Sequence, residues 1–186
     1  MRITKEPEER KQEILDTAMR LFNEKGYEKT SIADIANAIG IAQGLCYRYF
    51  PSKEALFDSA VEQYAHLLVD ALPLPDGTEN MPLKQMIAAM PVTIEREHSE
   101  YYKVFHETAN QKFHDQLTLK VCALLVPVVT GLLEKADGRG EIHLPDKATA
   151  AAFCVYGQLG ILLDGRLTAE EKNRRIREFL MYALRL

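Results

Sequence analysis

Tryptophan is absent from the 186 residues and cysteine is scarce: Cys46, Cys122 and Cys154 lie far apart. Their spacing fits neither a paired-cysteine metal site nor a disulfide framework, and they read as reduced thiols. No uninterrupted apolar run reaches the ~18 residues that a bilayer span requires. The start, Met1-Arg2-Ile3-Thr4-Lys5-Glu6, lacks an apolar signal region. A cytoplasmic protein with no membrane partner is therefore expected. Catalytic vocabulary is thin as well. His106 with Glu107 and His114 with Asp115 are the dense His/carboxylate pairs, and neither has metal-ligand spacing. There is no glycine-rich phosphate loop and no Ser/His/Asp set with a recognisable context. The expectation is no enzyme, no metal and no cofactor. Positive charge is also in short supply, since the net charge is −4. Over residues 29–53, however, Lys29, Arg48 and Lys53 face Asp34 alone. A basic local balance inside an acidic chain suits phosphate contacts at that one place.

What remains is a chain patterned for helices. Hydrophobic residues make up 47%, and period-2 alternation is not sustained. Residues 7–25 open with Pro7, Glu8 and Glu9, suited to a first helical turn, and carry Ile14, Leu15, Ala18, Leu21 and Phe22 on one face. Gly26 ends that helix. Ser31 and Asp34 have capping-box spacing, and Ile32, Ile35, Ala36 and Ile39 form the buried face of a second helix. Gly40 permits a tight turn into a third helix near 43–50, which Pro51 ends because the residue before a proline avoids helical angles. Ser52 is a good N-cap for a fourth helix to about residue 71. After the loop 73–77, helices are expected at 81–97, 100–111, 114–136, 146–163 and 169–185, with Pro91 and Pro127 kinking or interrupting two of them. The fold expected is all-α with about nine helices: a three-helix head over 1–53 and a larger helical body over 54–186.

The segment 30–53 carries the distinctive chemistry. Cys46 and Phe50, spaced i and i+4, share a helix face and can seal the head's core with Ile39 and Ile41. That register turns Gln43, Gly44, Leu45 and Arg48 outward. Gln43 suits an adenine edge, Arg48 a guanine or a phosphate, and Leu45 a thymine methyl. Gly44 removes side-chain bulk where a backbone must come close. Tyr47 and Tyr49 place hydroxyls on the flanks. Lys53 sits at a helix start whose dipole favours a phosphate, as do Thr30 and Ser31 at another. Arg2 and Lys5 form a basic arm.

The block from Gly40 to Leu56, with Tyr47-Arg48-Tyr49-Phe50 and Lys53-Glu54-Ala55-Leu56 as its specific part, resembles the helix-turn-helix signature of TetR-type transcriptional repressors. Ala18, Leu21, Phe22, Gly26, Tyr27, Thr30, Ile32, Ile35 and Ala36 extend the likeness, which covers roughly residues 10–57. Two departures stand out. Ala42 occupies the place of the family's Ser or Thr helix cap. Cys46 stands where a Leu or Ile is usual, and Leu45 where a smaller or polar residue is common. That register also admits Leu45 as the buried residue; the spacing to Phe50 favours Cys46.

The resemblance implies a dimeric regulator that pairs through its last two helices, binds a palindromic double-stranded operator and releases it when a small-molecule effector occupies the body. In this sequence Ala150, Cys154, Gly157 and Ile161 recur at i, +4, +7 and +11, and Ile176, Phe179, Leu180 and Ala183 stripe the last helix, which marks both for pairing. Tyr64, Met86, Met90, Tyr102, Phe105, His106, Phe153 and Tyr156 are candidate pocket residues, as soft apolar walls with polar handles. A body answering to a protein partner, or to nothing, and a helical interaction module without DNA binding are the alternatives.

Overall fold

The computed structural model describes residues 6–71, 81–89 and 111–186, and every described regular element is a helix. They are α1 (Pro7–Lys25), α2 (Ile32–Ala38), α3 (Gln43–Tyr49), α4 (Lys53–Asp70), α5 (Leu83–Ala89), α6 (Gln111–Gly138), α7 (Lys147–Tyr156), α8 (Leu159–Leu162) and α9 (Ala169–Ala183). The all-helical expectation holds. The expected elements at 90–110, including the one holding Pro91, lie outside the described residues.

The described chain forms two compact units. The first contains α1 to α3, α4 as far as Leu67, and α6 as far as Lys120. Its compactness therefore extends past residue 53, where the head was expected to end. The apolar face of α1 is buried: Ile14, Leu15, Ala18, Leu21 and Phe22. It meets Ile32, Ile35 and Ala36 of α2 and Leu56, Phe57 and Ala60 of α4 in the core. Aromatic rings knit this core. Phe57 stacks edge-on against Phe22 and Phe113, with centroids 5.6 Å away in each case. Such pairs add about 0.5–1.5 kcal/mol to area burial.

The second unit contains α4 from Leu68, α5, α6 from Val121 and α7 to α9. Leu83, Ile87, Leu133, Ala136, Ile142, Ala151 and Leu184 form its core. Glu141 fastens the start of α5, since its carboxylate accepts the Leu83 N–H at 2.6 Å and pairs with Arg139 at 2.5 Å.

Two expectations about helices are corrected. The span 146–163 is not one helix. The Gln158 side-chain amide donates to the Cys154 carbonyl at 2.5 Å, where the next backbone N–H of a continuous helix would donate. The ladder stops there and the chain re-forms as the short α8. In contrast, α6 runs through Pro127 without interruption. Thr130 supports this stretch by donating its hydroxyl to the Val126 carbonyl at 2.8 Å. A window of 18 residues within Phe113–Gly138 has a mean hydropathy of 1.8, long and apolar enough to cross a membrane by composition. The apolar run itself is broken at Lys120, whose ammonium pairs with Glu62 of α4.

Candidate nucleic-acid interface

The head is built around a turn. Ser31 caps α2 by accepting the Asp34 N–H at 3.1 Å, while the Asp34 carboxylate accepts the Ser31 N–H at 2.8 Å. These reciprocal bonds complete the expected capping box, and the Ser31 hydroxyl, then the Ser31 N–H, both donating to the Asp34 carboxylate, hold that carboxyl below the usual range. At the other end Gly40 takes φ +69°, and Ile41 N–H bonds back to the Ala36 carbonyl at 3.0 Å. This left-handed exit is the geometry that glycine supplies at a helix end. It launches α3 immediately.

The register of α3 is settled by burial. Cys46 is 0% exposed and Phe50 is buried, whereas Leu45 is half-buried. Burial also pushes the Cys46 thiol upward, so it packs as a small neutral hydrophobe. Gln43, Gly44, Tyr47 and Arg48 face solvent, and Tyr49 is half-buried on the flank. The helix starts poorly. Ala42 offers no side-chain cap, as its sequence predicts. Gly44 is a second weakness, and the fold does not require it. A Cβ there would meet nothing within 4 Å, and its φ lies outside the left-handed region. An internal explanation for that glycine is missing, while an external surface pressing against α3 would supply one.

Ser31 and Lys53 stand at the starts of α2 and α4, Ser31 exposed and Lys53 half-buried, whereas Thr30 is turned inward. Thr30 is buried, and its hydroxyl donates to the carbonyls of Leu21 and Gly26 at 3.1 and 2.9 Å. It locks the α1–α2 loop. Capping preferences mark Thr and Ser alike, so sequence could not separate the buried hydroxyl from the exposed one. Sequence reading gave Tyr27 no role beyond its place in the resemblance. Its carbonyl accepts the Lys53 ammonium at 2.8 Å, and its hydroxyl donates to Glu54 at 3.1 Å. Burial and the neighbouring Glu54 push the Tyr27 hydroxyl up to about 12. Ser52 begins α4 as expected, accepting the Ala55 N–H at 3.0 Å.

Met90, Tyr102, Phe105 and His106 lie outside the described residues. Tyr64 and Met86 are buried core side chains, in different units. Phe153 is corrected as a pocket wall, because it is 75% exposed, and Tyr156 also faces outward. Ile176 is corrected as a pairing residue, being 1% exposed in the chain's own core. Ala150, Cys154 and Leu180 pack partly against the second core, and Gly157 and Ile161 fall on either side of the helix break. Phe179 remains available at 63% exposure, and Ala183 is exposed. Tyr182, 82% exposed, and the exposed Leu163 were missed. Small-residue spacing drew attention away from these large side chains. Among the described residues no three His, Cys, Asp or Glu side chains converge as a metal site would need.

Helices α1 to α3 with the start of α4 thus form a helix-turn-helix head whose third helix shows its outer face to solvent, carried by a chain with a helical body. Residues 14–60 match the model for bacterial regulatory proteins of the tetR family. Over this head the chain is similar to that family. Among curated proteins, it is 48% identical over 56 residues to an uncharacterised helix-turn-helix regulator, YerO, of Bacillus subtilis, covering 30% of this chain and 19% of that protein. It is 30% identical over 92 residues to the nucleoid occlusion factor SlmA of Haemophilus ducreyi, covering 49% of this chain and 46% of SlmA. The match thus spans less than half the length of these relatives. Along nearly the whole chain the fold resembles that of the flavonoid-responsive regulator FrrA, with TM-score 0.64 and 22% identity, covering 95% of this chain and 97% of that one.

Proposed function

We propose that the chain is a cytoplasmic, non-catalytic transcriptional regulator. It binds a palindromic double-stranded operator as a homodimer and releases it, as a repressor, when a small molecule binds the body. The observation that carries this reading is the outer face of α3. Gln43, Gly44, Tyr47 and Arg48 are exposed on a helix held from behind by Cys46 and Phe50. Beside it stand Ser31 and Lys53 at two helix starts. A helix presented in this way fits the major groove with its own side chains towards base edges, while groups on the neighbouring helix starts grip phosphates.

A single short reading helix engages little DNA, so two heads are needed for a specific site. Pairing is assigned to the exposed aromatics Phe153 of α7 and Phe179 and Tyr182 of α9. They are the three most exposed aromatic side chains among the described residues, and a partner covering them would take that apolar area out of water. The effector is assigned to the body by kinship of fold with a regulator described as flavonoid-responsive. The sequence of 90–110 carries Met90, Tyr102, Phe105 and His106, chemistry suited to an apolar molecule with one polar handle.

Thermal melting of the purified protein with candidate small molecules tests the effector, because a ligand selective for the folded state raises the melting temperature. The same molecule is expected to dissociate the protein from DNA of its own promoter. A body that binds nothing, or answers only to a protein, would leave the melting temperature unchanged throughout.

A further inference from the structure

Lys53 is a fixed cation. Its ammonium donates to the Tyr27 carbonyl at 2.8 Å and lies 4.1 Å from the centre of the Tyr27 ring. Tyr27 is itself held from three sides. Its ring packs 5.4 Å from Phe22 and 4.6 Å from Phe57. Its carbonyl also accepts the Thr30 N–H at 3.2 Å, in the loop that the Thr30 hydroxyl locks. Its hydroxyl donates to Glu54 Oε1 at 3.1 Å. The carboxylate adjacent to Lys53 in sequence is held first by the backbone of its own helix start, then by this phenol and by Ser52, while the neighbouring Lys53 charge also draws on it.

That arrangement matters for a cation meant to meet a phosphate. A free lysine gives up rotamer freedom when it binds, and here the ordering is already done in the free head. An ammonium has three donors, and one goes to the Tyr27 carbonyl. Glu54 is the hazard. At the same helix start it could pair with Lys53 and repel the incoming phosphate.

We propose that Tyr27 is a positioning residue for DNA binding: its carbonyl and ring hold the Lys53 ammonium ready for a backbone phosphate, and its hydroxyl adds to the helix-start bonds that keep the Glu54 carboxylate from swinging onto that ammonium. The inference rests on the reading of the head as a DNA-binding module and identifies what regulates its phosphate grip.

The test measures binding of the full-length protein to a short duplex of its upstream DNA by fluorescence anisotropy at several salt concentrations. Tyr27→Phe keeps the ring and releases Glu54. It is expected to weaken binding about fivefold and to move the salt slope towards that of Lys53→Ala, which loses about one phosphate contact. Adding Glu54→Gln to Tyr27→Phe is expected to restore affinity to within about twofold of the parent, a larger gain than the same change gives in the parent. Glu54→Asp, which shortens the carboxylate away from the phenol without touching the ring cluster, is expected to weaken binding in the same direction. A merely structural tyrosine would lower the melting temperature without this coupling to Glu54. The proposal is overturned if Lys53→Ala weakens binding while Tyr27→Phe and Glu54→Asp do not. It is also overturned if Glu54→Gln helps the parent as much as the Tyr27 variant. Absence of salt-dependent binding by the parent would overturn the DNA-binding reading and this inference with it.

Discussion

At the residue scale, Gly44 separates stability from function. It costs α3 helical propensity, and no neighbour inside the chain occupies the space a side chain would take. Gly44→Ala is therefore expected to stabilise the head by about 0.5 kcal/mol, seen as a small rise in melting temperature, while weakening operator binding. A variant that gained stability and kept full affinity would remove the close-approach argument. Arg48→Ala and Gln43→Ala are expected to change which sequences are preferred in a competition assay, whereas Lys53→Ala weakens all of them alike. Tyr27 adds a pH dependence. Its hydroxyl, pushed up to about 12 from 10.0 in the ordinary state, keeps its proton in the folded head after an unfolded chain would release it. The folded state then binds more protons than the unfolded state, so stability falls as pH rises through that interval. Alkaline melting followed by circular dichroism should show this decline between about pH 10 and pH 12. The decline should be smaller in Tyr27→Phe.

At the scale of elements, capping decides how firmly the reading helix is presented. The Ser31–Asp34 box sets the start of α2, and Ser31→Ala is expected to cost about 1 kcal/mol in denaturant unfolding. At the starts of α2 and α7 the Ser31 and Thr149 hydroxyls, then their N–H groups, hold the Asp34 and Asp146 carboxyls below their ordinary values, and at the start of α9 the Thr168 N–H, then its hydroxyl, does the same for Glu171. With depressed values in the folded state, the unfolded chain binds protons first. The stabilisation is therefore complete above about pH 4.5 and is lost as pH falls through the depressed values. Sequence made the Ser31–Asp34 and Ser52 caps legible, along with the faces of α1 and α2 and the ends set by Gly26, Gly40 and Pro51, because each depends on neighbours a few positions away; the caps at Asp146 and Thr168 were not read. The break at Gln158 was not legible. The Gln158 side-chain amide donates to the Cys154 carbonyl there, and apolar periodicity does not register such a bond. Nor did sequence reveal the Tyr27–Lys53 contact, which joins residues 26 positions apart. Leu45 and Cys46 were separable only through the spacing to Phe50, and burial agrees with that choice.

At the scale of the whole molecule, the account requires two heads. Phe179→Glu or Tyr182→Glu in α9 is expected to shift the protein towards monomer in sedimentation velocity, since either change puts a charge on a face assigned to a partner. Operator affinity should fall in parallel while the head remains folded. A dimer that withstands both changes would relocate the pairing surface. Ile176→Ala, by contrast, should destabilise each chain, because Ile176 belongs to the intramolecular core.

The central claim is that the outer face of α3, gripped by flanking phosphate contacts, binds DNA. An anisotropy titration of the full-length protein against its upstream intergenic duplex and a scrambled duplex, repeated over a range of salt, tests it most directly. The account predicts tighter binding to the upstream duplex, a linear fall of log affinity with log salt, and a shallower slope for Lys53→Ala. Equal, salt-independent binding to both duplexes, or no binding at any salt, would contradict it.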